Sequence, residues 1–232
     1  MNREPQSPPQ PALVPPPWRL AGSGWIFLFA FEEGFLRERA LVPHELGDDF
    51  EARLGVLMLV DYRRSNVGPY RELLFLVGRD LQWRHHLFAI TRIYVSTEAS
   101  AVNGRHHWGI PKQAAEFQVV RKGEAERAIV LRDGLAEVDL SAAPVPNSLL
   151  LPGVSSLLPR SWRTLCQPWN NHYYYTRLSG WGMARRARLL DFRTLPHLFP
   201  DVAEGEFVDG FYLKDFHLRF PPAQISSQAL HA

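Results

Sequence analysis

The chain is poor in cysteine and contains no long apolar run. Its only cysteine is Cys166, which excludes a disulfide within the chain and any metal site built from several cysteines. We expect Cys166 to pack as a small apolar side chain. Apolar runs such as residues 25–31 are far too short to cross a bilayer, and residues 1–17 lack the features of a targeting signal. These absences predict a soluble cytoplasmic protein with no membrane partner.

Charge of one sign is not in excess either. The net charge of +2 gives no electrostatic reason to expect a nucleic-acid partner. The 232 residues, 46% of them hydrophobic, are enough for one globular domain with a substantial core. Residues 1–16 are rich in proline and offer little to bury, so we predict a disordered tail over 1–16 and a single domain over 17–232.

Lysine is also scarce, and this scarcity draws attention to one position. The chain has three lysines, at 112, 122 and 214, and its other formally cationic side chains are arginines. Arginine stays charged, whereas a desolvated lysine can lose its proton and attack a carbonyl carbon. Lys112 follows a proline in the aromatic segment 104–113, which makes it a candidate Schiff-base nucleophile. The alternative is a surface lysine after a turn.

Reactivity near neutral pH would require a lower pKa for Lys112. The ordinary lysine pKa of about 10.4 would have to fall by roughly three units, which corresponds to about 4 kcal/mol. Burial beside Trp108, Ile110 and Phe117 is expected to lower the pKa by desolvation.

Most of the chain reads as short strands separated by turn signals. One helix is predicted at about residues 97–106, because Thr97 is a cap candidate and small residues follow it. The Asp133-Gly134 pair predicts a hairpin. Residues 148–169 are apolar but interrupted by prolines and are expected to be irregular, and residues 185–194 are read as a strand or a short helix. The predicted strands cover 25–31, 54–61, 70–77, 87–95, 115–121, 128–132, 136–140, 171–177 and 211–220.

Many short strands with little helix predict a β-rich α+β fold. The expected architecture is an antiparallel sheet or barrel-like domain with a few short helices.

Two patches of the sequence resemble the acetoacetate decarboxylase family. One is Gly104-Arg105, a spacer, and then Pro111-Lys112; the other is the segment Gly68-Pro-Tyr-Arg-Glu72. The resemblance implies the fold of that family, no added cofactor, a small keto acid or other carbonyl ligand, and a homo-oligomer. It also implies a Schiff base on Lys112 and a charged partner role for Glu72 in catalysis. It assigns Arg105, Tyr70 and Trp108 to substrate binding.

Several positions depart from the family pattern. A second lysine is replaced by Gln113 and a glutamate by His106, while Leu57 stands about where a further active-site glutamate is expected. The family has a carboxylate-binding arginine at a position that falls near Ser23 in this chain. Arg19 is the nearest arginine that could replace it. These losses point away from acetoacetate itself and toward a more apolar carbonyl compound.

We therefore predict a Schiff-base lyase that acts on a β-keto acid or a related carbonyl compound. Two alternatives remain open: a Schiff-base aldolase or dehydratase, and a non-catalytic small-molecule binding protein that keeps the pocket. Glu72 could instead pair with Arg71 or Arg63. The adjacent histidines at 85–86 and 106–107 lack the spacing of metal ligands, so no metal is expected, although His106 or His107 could act as an acid or base near Lys112.

Overall fold

The structure is a computed structural model that describes residues 11–32, 34–40, 42–43, 46, 53–78 and 87–227. The helices are α1 (Phe35–Arg39) and α2 (Glu98–Trp108). The strands are β1 (Trp18–Ala30), β2 (Leu54–Arg64), β3 (Tyr70–Gly78), β4 (Ala89–Val95), β5 (Gln113–Ala114), β6 (Glu116–Lys122), β7 (Ala125–Arg132), β8 (Leu135–Pro144), β9 (Leu151–Val154), β10 (Thr164–Trp169), β11 (His172–Arg177), β12 (Ser179–Thr194), β13 (Glu206–Phe220) and β14 (Gln224–Ser226).

One large sheet dominates the fold. Its 11 strands include the path β5-β4-β3-β2-β1-β13-β12-β8-β7-β6, with β9 paired to β12 outside that path, and a second sheet has the order β10-β11-β14. The pairing of β4 with β5 is parallel, whereas the other ladders between named strands are antiparallel. The β-rich α+β prediction is confirmed. The sheet is not closed into a barrel, since within the described part of the chain its two end strands, β5 and β6, do not pair with each other.

Strand β12 changes partners along its length. Residues 179–186 of β12 pair with β13, whereas residues 187–194 pair with β8. Side chains of β7 and β8, among them Val130 and Leu140, consequently share a core with Phe27 and Phe75 from the central strands. This core covers one face of β1 to β4.

The opposite face of these strands carries a second core, and the candidate functional site lies there. Side chains alternate between the two faces along a strand, so Leu73 and Phe75 of β3 enter the first core, whereas Tyr70 and Leu74 enter the second. Helix α2 and β10 cover this second face, for example through Trp108 and Leu165.

Helix α2 begins and ends as its sequence indicates. The side chain of Thr97 accepts a hydrogen bond from the Ser100 backbone N–H, and Gly109 ends the helix with a φ of 62°. The predicted helix over 97–106 is therefore confirmed and runs slightly longer. A β-carbon on Gly109 would lie 2.7 Å from Cβ of Trp169, so glycine meets both the left-handed backbone and the close packing there.

The irregular structure expected for residues 148–169 is partly wrong. This segment contains β9 and β10, and their prolines Pro152 and Pro168 are compatible with strands because β9 pairs only with β12 and β10 is an edge strand. An edge strand tolerates a residue that lacks a backbone N–H. Residues 185–194 form the second half of strand β12 rather than a helix. The hairpin at Asp133-Gly134 joins β7 to β8, with both residues at positive φ.

The predicted tail over 1–16 falls mainly outside the described residues. Within residues 11–16, the backbone N–H of Val14 donates to Oδ1 of the buried Asn103 over 2.7 Å, and Asn103 donates back to the carbonyl of Ala12. This segment thus lies against helix α2. Cys166 is buried and unbridged, as expected. None of the described helices is long and apolar enough to span a membrane.

Candidate active site around Lys112

Lys112 lies just before β5, where the chain leaves helix α2. Its backbone N–H donates to the carbonyl of Ile110 over 2.7 Å, and its own carbonyl accepts a hydrogen bond from Nη1 of Arg105. The other terminal nitrogen of Arg105 contacts Glu98 over 3.1 Å. Arg105 therefore anchors the loop that carries Lys112 to the helix before it.

The glycine of the Gly104-Arg105 pair provides room for the lysine side chain. A β-carbon built on Gly104 would lie 2.5 Å from Cδ and 3.0 Å from Cε of Lys112. Such distances are too short for carbon atoms in van der Waals contact. The helix thus supplies both the space for the Lys112 side chain and a hydrogen bond to its backbone.

Lys112 is only 6% exposed, and three acceptors surround its amine. Nζ lies 2.7 Å from Oε2 of Glu72, 3.1 Å from Oγ of Ser100 and 3.5 Å from the hydroxyl of Tyr70. An ammonium group has three N–H donors, so this arrangement satisfies the protonated form of the lysine.

Glu72 projects from β3 and is 5% exposed. Its Oε2 accepts from Lys112, and its Oε1 accepts from the hydroxyl of Tyr62 over 3.3 Å. The alternative pairing of Glu72 with Arg63 is wrong, because Arg63 is bonded to Asp215. Glu72 and Lys112 form a buried ion pair with a hydrogen bond to each carboxylate oxygen.

The direction of the Lys112 pKa differs from the sequence-based expectation. Burial acts to lower the pKa, but the Glu72 carboxylate and the neighbouring Tyr70 raise it by more, so the net pKa of Lys112 lies above its ordinary value. Desolvation alone was expected, and the carboxylate beside the amine reverses its effect. The lysine therefore rests as an ammonium ion.

Both tyrosines near the pair stay protonated. Burial is the main reason that the pKa of Tyr70 rises to about 12, with Lys112 opposing and Glu72 assisting the change. The pKa of Tyr62 is also raised, first by burial and then by the charge of Glu72. Their phenolic hydroxyls are therefore available as neutral hydrogen-bonding groups.

The amine faces an apolar cavity of about 80 Å³, which is room for several water-sized groups. Among the described residues, the titratable side chains that line it are Tyr62, Tyr70, Glu72 and Lys112. The remaining lining is hydrophobic and comes from β1 to β4, α2, β10 and the last strands, for example Trp18, Trp108, Leu165 and Phe220. No arginine of the described residues lines this cavity.

The predicted site residues are thus brought together in part. The cavity is lined by Lys112, Glu72, Tyr70 and Trp108. Arg105 bonds to the Lys112 carbonyl and does not line the cavity. Trp108 donates from Nε1 to the carbonyl of Pro221 over 2.7 Å, which fixes its ring in the wall. Ser100 and Tyr62 contact the ion pair but were missed. Their types and positions in sequence carry no signal of this contact, since it depends on helix orientation and strand register.

The structure shows where the residues that depart from the family pattern lie. Leu57 is fully buried in the first core, on the opposite face of the sheet, and its neighbour Met58 lines the cavity instead. Gln113 accepts a hydrogen bond from Arg132. Arg19 is exposed and does not line the cavity, so the suggested replacement for the carboxylate-binding arginine is not found there.

The described histidines His106 and His107 are not among the hydrogen-bond partners of the Lys112 amine. His106 is exposed, and the His107 ring packs edge-on against the rings of His106 and Trp108. Neither lines the cavity. Residues 85–86 lie outside the described residues, and across the described ranges no group of three or more potential metal-binding His, Cys, Asp or Glu side chains is found.

Comparison with known proteins gives a consistent family and fold. A family model described as acetoacetate decarboxylase (ADC) matches residues 5–194, while no curated protein sequence is matched. A crystal structure of acetoacetate decarboxylase from Legionella pneumophila superposes with a TM-score of 0.63 at 13% identity, covering 96% of this chain and 91% of that one.

Two further solved structures share this architecture. An acetoacetate decarboxylase-like enzyme from Sphingomonas wittichii RW1 has a TM-score of 0.65 and 13% identity, with 91% of this chain and 93% of that chain covered. The enduracididine biosynthesis enzyme MppR complexed with pyruvate has a TM-score of 0.59 and 13% identity, with 92% of this chain and 91% of that chain covered. At such low identity these similarities establish the fold alone.

Proposed function

Because the chain belongs to the acetoacetate decarboxylase family, we propose that it is a carbon–carbon lyase that binds its carbonyl substrate as a Schiff base on Lys112. The substrate is a β-keto acid or a related carbonyl compound. One observation carries the proposal: the buried Nζ of Lys112 lies 2.7 Å from the carboxylate of Glu72, at the wall of an apolar cavity.

The ion pair provides both the nucleophile and the acid that the first step requires. Transfer of one proton from the Lys112 ammonium to Glu72 leaves a neutral amine and a carboxylic acid. The amine attacks the carbonyl carbon, and Glu72 then protonates the departing oxygen. The oxygen leaves as water, which takes one proton from the amine and one from Glu72, and an iminium ion beside the Glu72 carboxylate remains.

Burial in the apolar cavity assists this exchange by acting to lower the pKa of Lys112, although the contact with Glu72 outweighs it and keeps the ion pair as the resting state. A neutral amine and a neutral acid are cheaper to hold in a dry site than separated charges. The iminium then replaces the ammonium as the cation next to Glu72, so the charge balance is kept. The iminium also accepts the electron pair when a carbon–carbon bond within the bound substrate breaks. No added cofactor is required for that role.

Neighbouring groups position the reacting atoms. Ser100 and Tyr70 accept hydrogen bonds from Nζ, and Tyr62 holds the second oxygen of Glu72. Trp108 forms part of the wall against which the substrate packs, and Arg105 acts through the Lys112 backbone rather than on the substrate.

A homo-oligomer is part of the same proposal. The segment 149–158 exposes several large apolar side chains, of which Leu149 is 74% and Leu157 is 85% exposed. Exposed apolar surface of this kind is typical of protein interfaces. We also propose a cytoplasmic location.

A non-catalytic binding protein is the second candidate. The raised pKa of Lys112 favours it, because a stable ammonium ion is unreactive toward carbonyl groups. This candidate predicts ligand binding that survives Lys112→Met.

Exchange of the carbonyl oxygen with heavy-isotope water separates the two candidates. Each reversible Schiff base expels the ketone oxygen and hydrolysis inserts one from solvent, so exchange reports the covalent step without any knowledge of the full reaction. We expect wild type to accelerate exchange in small ketones and Lys112→Arg to lose this acceleration. The matched control is Lys122→Arg, which changes an exposed lysine. Equal exchange in Lys112→Arg and wild type would overturn the proposal.

A further inference from the structure

The charges that line the cavity are balanced before any substrate binds. Lys112 contributes one positive charge and Glu72 one negative charge, and they contact each other over 2.7 Å. Tyr62 and Tyr70 are neutral, and the other described lining residues are hydrophobic. Schiff-base formation keeps this balance, since the iminium takes the place of the ammonium ion.

A substrate carboxylate would disturb the balance. It would place a second anion in the cavity beside Glu72, and among the described lining residues no further cation is present to receive it. A buried charge without a partner is strongly unfavourable. The surrounding hydrophobic side chains offer no replacement for the water that such a group would lose.

The position of Glu72 also bears on the reaction. Loss of carbon dioxide from an iminium requires no base, because the electron pair of the breaking bond passes directly to the nitrogen. Cleavage of a β-hydroxy carbonyl compound does require one, since the hydroxyl proton must be removed as the bond breaks. A carboxylate in contact with the nitrogen is well placed for that proton.

We infer that the substrate is a small uncharged β-hydroxy ketone or β-hydroxy aldehyde, which the protein cleaves by a retro-aldol reaction. This inference rests on the proposed Schiff base at Lys112. The cavity of about 80 Å³ fits a compound with on the order of seven non-hydrogen atoms.

The steps balance without an added reactant. After the iminium forms, the Glu72 carboxylate removes the β-hydroxyl proton, the bond between the α and β carbons breaks, and an aldehyde leaves. The electron pair converts the iminium into a neutral enamine. Glu72 returns its proton to the α carbon, and water then hydrolyses the resulting iminium, which releases the ketone and restores the Lys112–Glu72 ion pair.

Two probes of equal heavy-atom count test the inference. The first is 4-hydroxy-2-pentanone, which is uncharged and would yield acetone and acetaldehyde; the second is acetoacetate, which carries a carboxylate. Each is incubated with the full chain and borohydride, adducts on Lys112 are quantified by peptide mass mapping, and acetaldehyde is assayed without borohydride. We expect trapping with the hydroxy ketone to be at least tenfold faster than with acetoacetate, together with acetaldehyde release.

The outcomes separate this inference from the proposed function. Trapping of acetoacetate as fast as the hydroxy ketone, or hydroxy-ketone adducts without acetaldehyde release, would overturn the inference and leave the Schiff base intact. Absence of Lys112 adducts with both probes would overturn the proposed function and the inference with it.

A variant at Met58 provides an independent arm. Met58 lines the cavity opposite Leu74 on the neighbouring strand and is only half-buried, so a longer cation can be placed there. Met58→Arg is expected to raise acetoacetate trapping at least tenfold relative to Met58→Leu, which adds no charge and is expected to keep the wild-type order of the two probes. Equal acetoacetate trapping in the two folded variants would contradict the charge argument.

Discussion

The side chain of Lys112 passes so close to Gly104 that a β-carbon at that glycine would lie 2.5 Å from Cδ of the lysine. The preceding helix therefore determines where the amine lies. Arg105, the next residue, binds the Lys112 carbonyl, which gives the Gly-Arg pair a physical reason: one residue makes space and the other fixes the backbone.

Gly104→Ala tests this relationship. Alanine favours a helix by about 1 kcal/mol over glycine, so helix α2 should remain folded while the lysine side chain is displaced. A misplacement of about 1 Å at a reacting group can cost roughly 100-fold in rate, and we expect carbonyl-oxygen exchange to fall by about 10- to 100-fold. Val102→Ala in the same helix is the control. Undiminished exchange in a folded Gly104→Ala protein would show that the contact does not position Lys112.

Glu72→Gln should separate the reactivity of the amine from catalysis. Without the carboxylate, burial becomes the dominant influence and lowers the pKa of Lys112. We expect faster labelling of Lys112 by an amine-directed reagent at about pH 9, with the exposed Lys122 as the internal standard. Carbonyl-oxygen exchange should fall by about 10²- to 10⁴-fold, because the proposed proton-transfer group is removed. Slower labelling of Lys112 in the variant would refute the assigned cause of the pKa shift.

Removal of one partner of the buried ion pair should destabilise the protein strongly, whereas replacement of both partners by apolar residues should destabilise it much less. Lys112→Met leaves the Glu72 carboxylate buried without its partner, and we expect the free energy of unfolding to fall by about 3–5 kcal/mol. The double variant Lys112→Met/Glu72→Leu should recover most of this loss, since both charges are removed. Urea unfolding measures these differences, and a double variant less stable than Lys112→Met would contradict the expectation.

The stability contributed by Lys112 should vanish at high pH. Its folded-state pKa lies above the ordinary value of 10.5, so the contribution is complete below about pH 10.5 and declines as the pH rises through the folded-state pKa. The sign follows because the unfolded chain loses the lysine proton first. As the pH rises through this range, the free energy of unfolding of wild type should fall relative to that of the double variant. A shift in the opposite direction would argue against a raised pKa.

Local sequence patterns predicted much of the secondary structure. Strands β2 and β3 begin at the predicted residues 54 and 70, and the Asp133-Gly134 hairpin and the cap at Thr97 are present. The prolines at 152 and 168 were misleading because their strands are edge strands. The order of strands was beyond prediction, since β1 pairs with β13 from the far end of the chain and no local pattern encodes such a partner.

The site was predictable only where a motif marked it. The Pro-Lys pair and the Gly-Pro-Tyr-x-Glu segment singled out Lys112 and Glu72, which the structure places in contact; their catalytic roles remain predictions. Tyr62 and Ser100 reach the pair through strand register and helix orientation. The direction of the Lys112 pKa depends on the 2.7 Å separation between two residues that are 40 positions apart, and the sequence does not give this distance.

The most direct test of a Schiff base on Lys112 is borohydride reduction in the presence of a panel of small ketones, aldehydes and keto acids, followed by intact mass and peptide mapping. A reduced adduct on Lys112, absent from Lys122 and Lys214 and lost in Lys112→Arg, is the result that the account predicts. With the fold confirmed, absence of any adduct on Lys112 across the panel at pH values up to about 9 would contradict it.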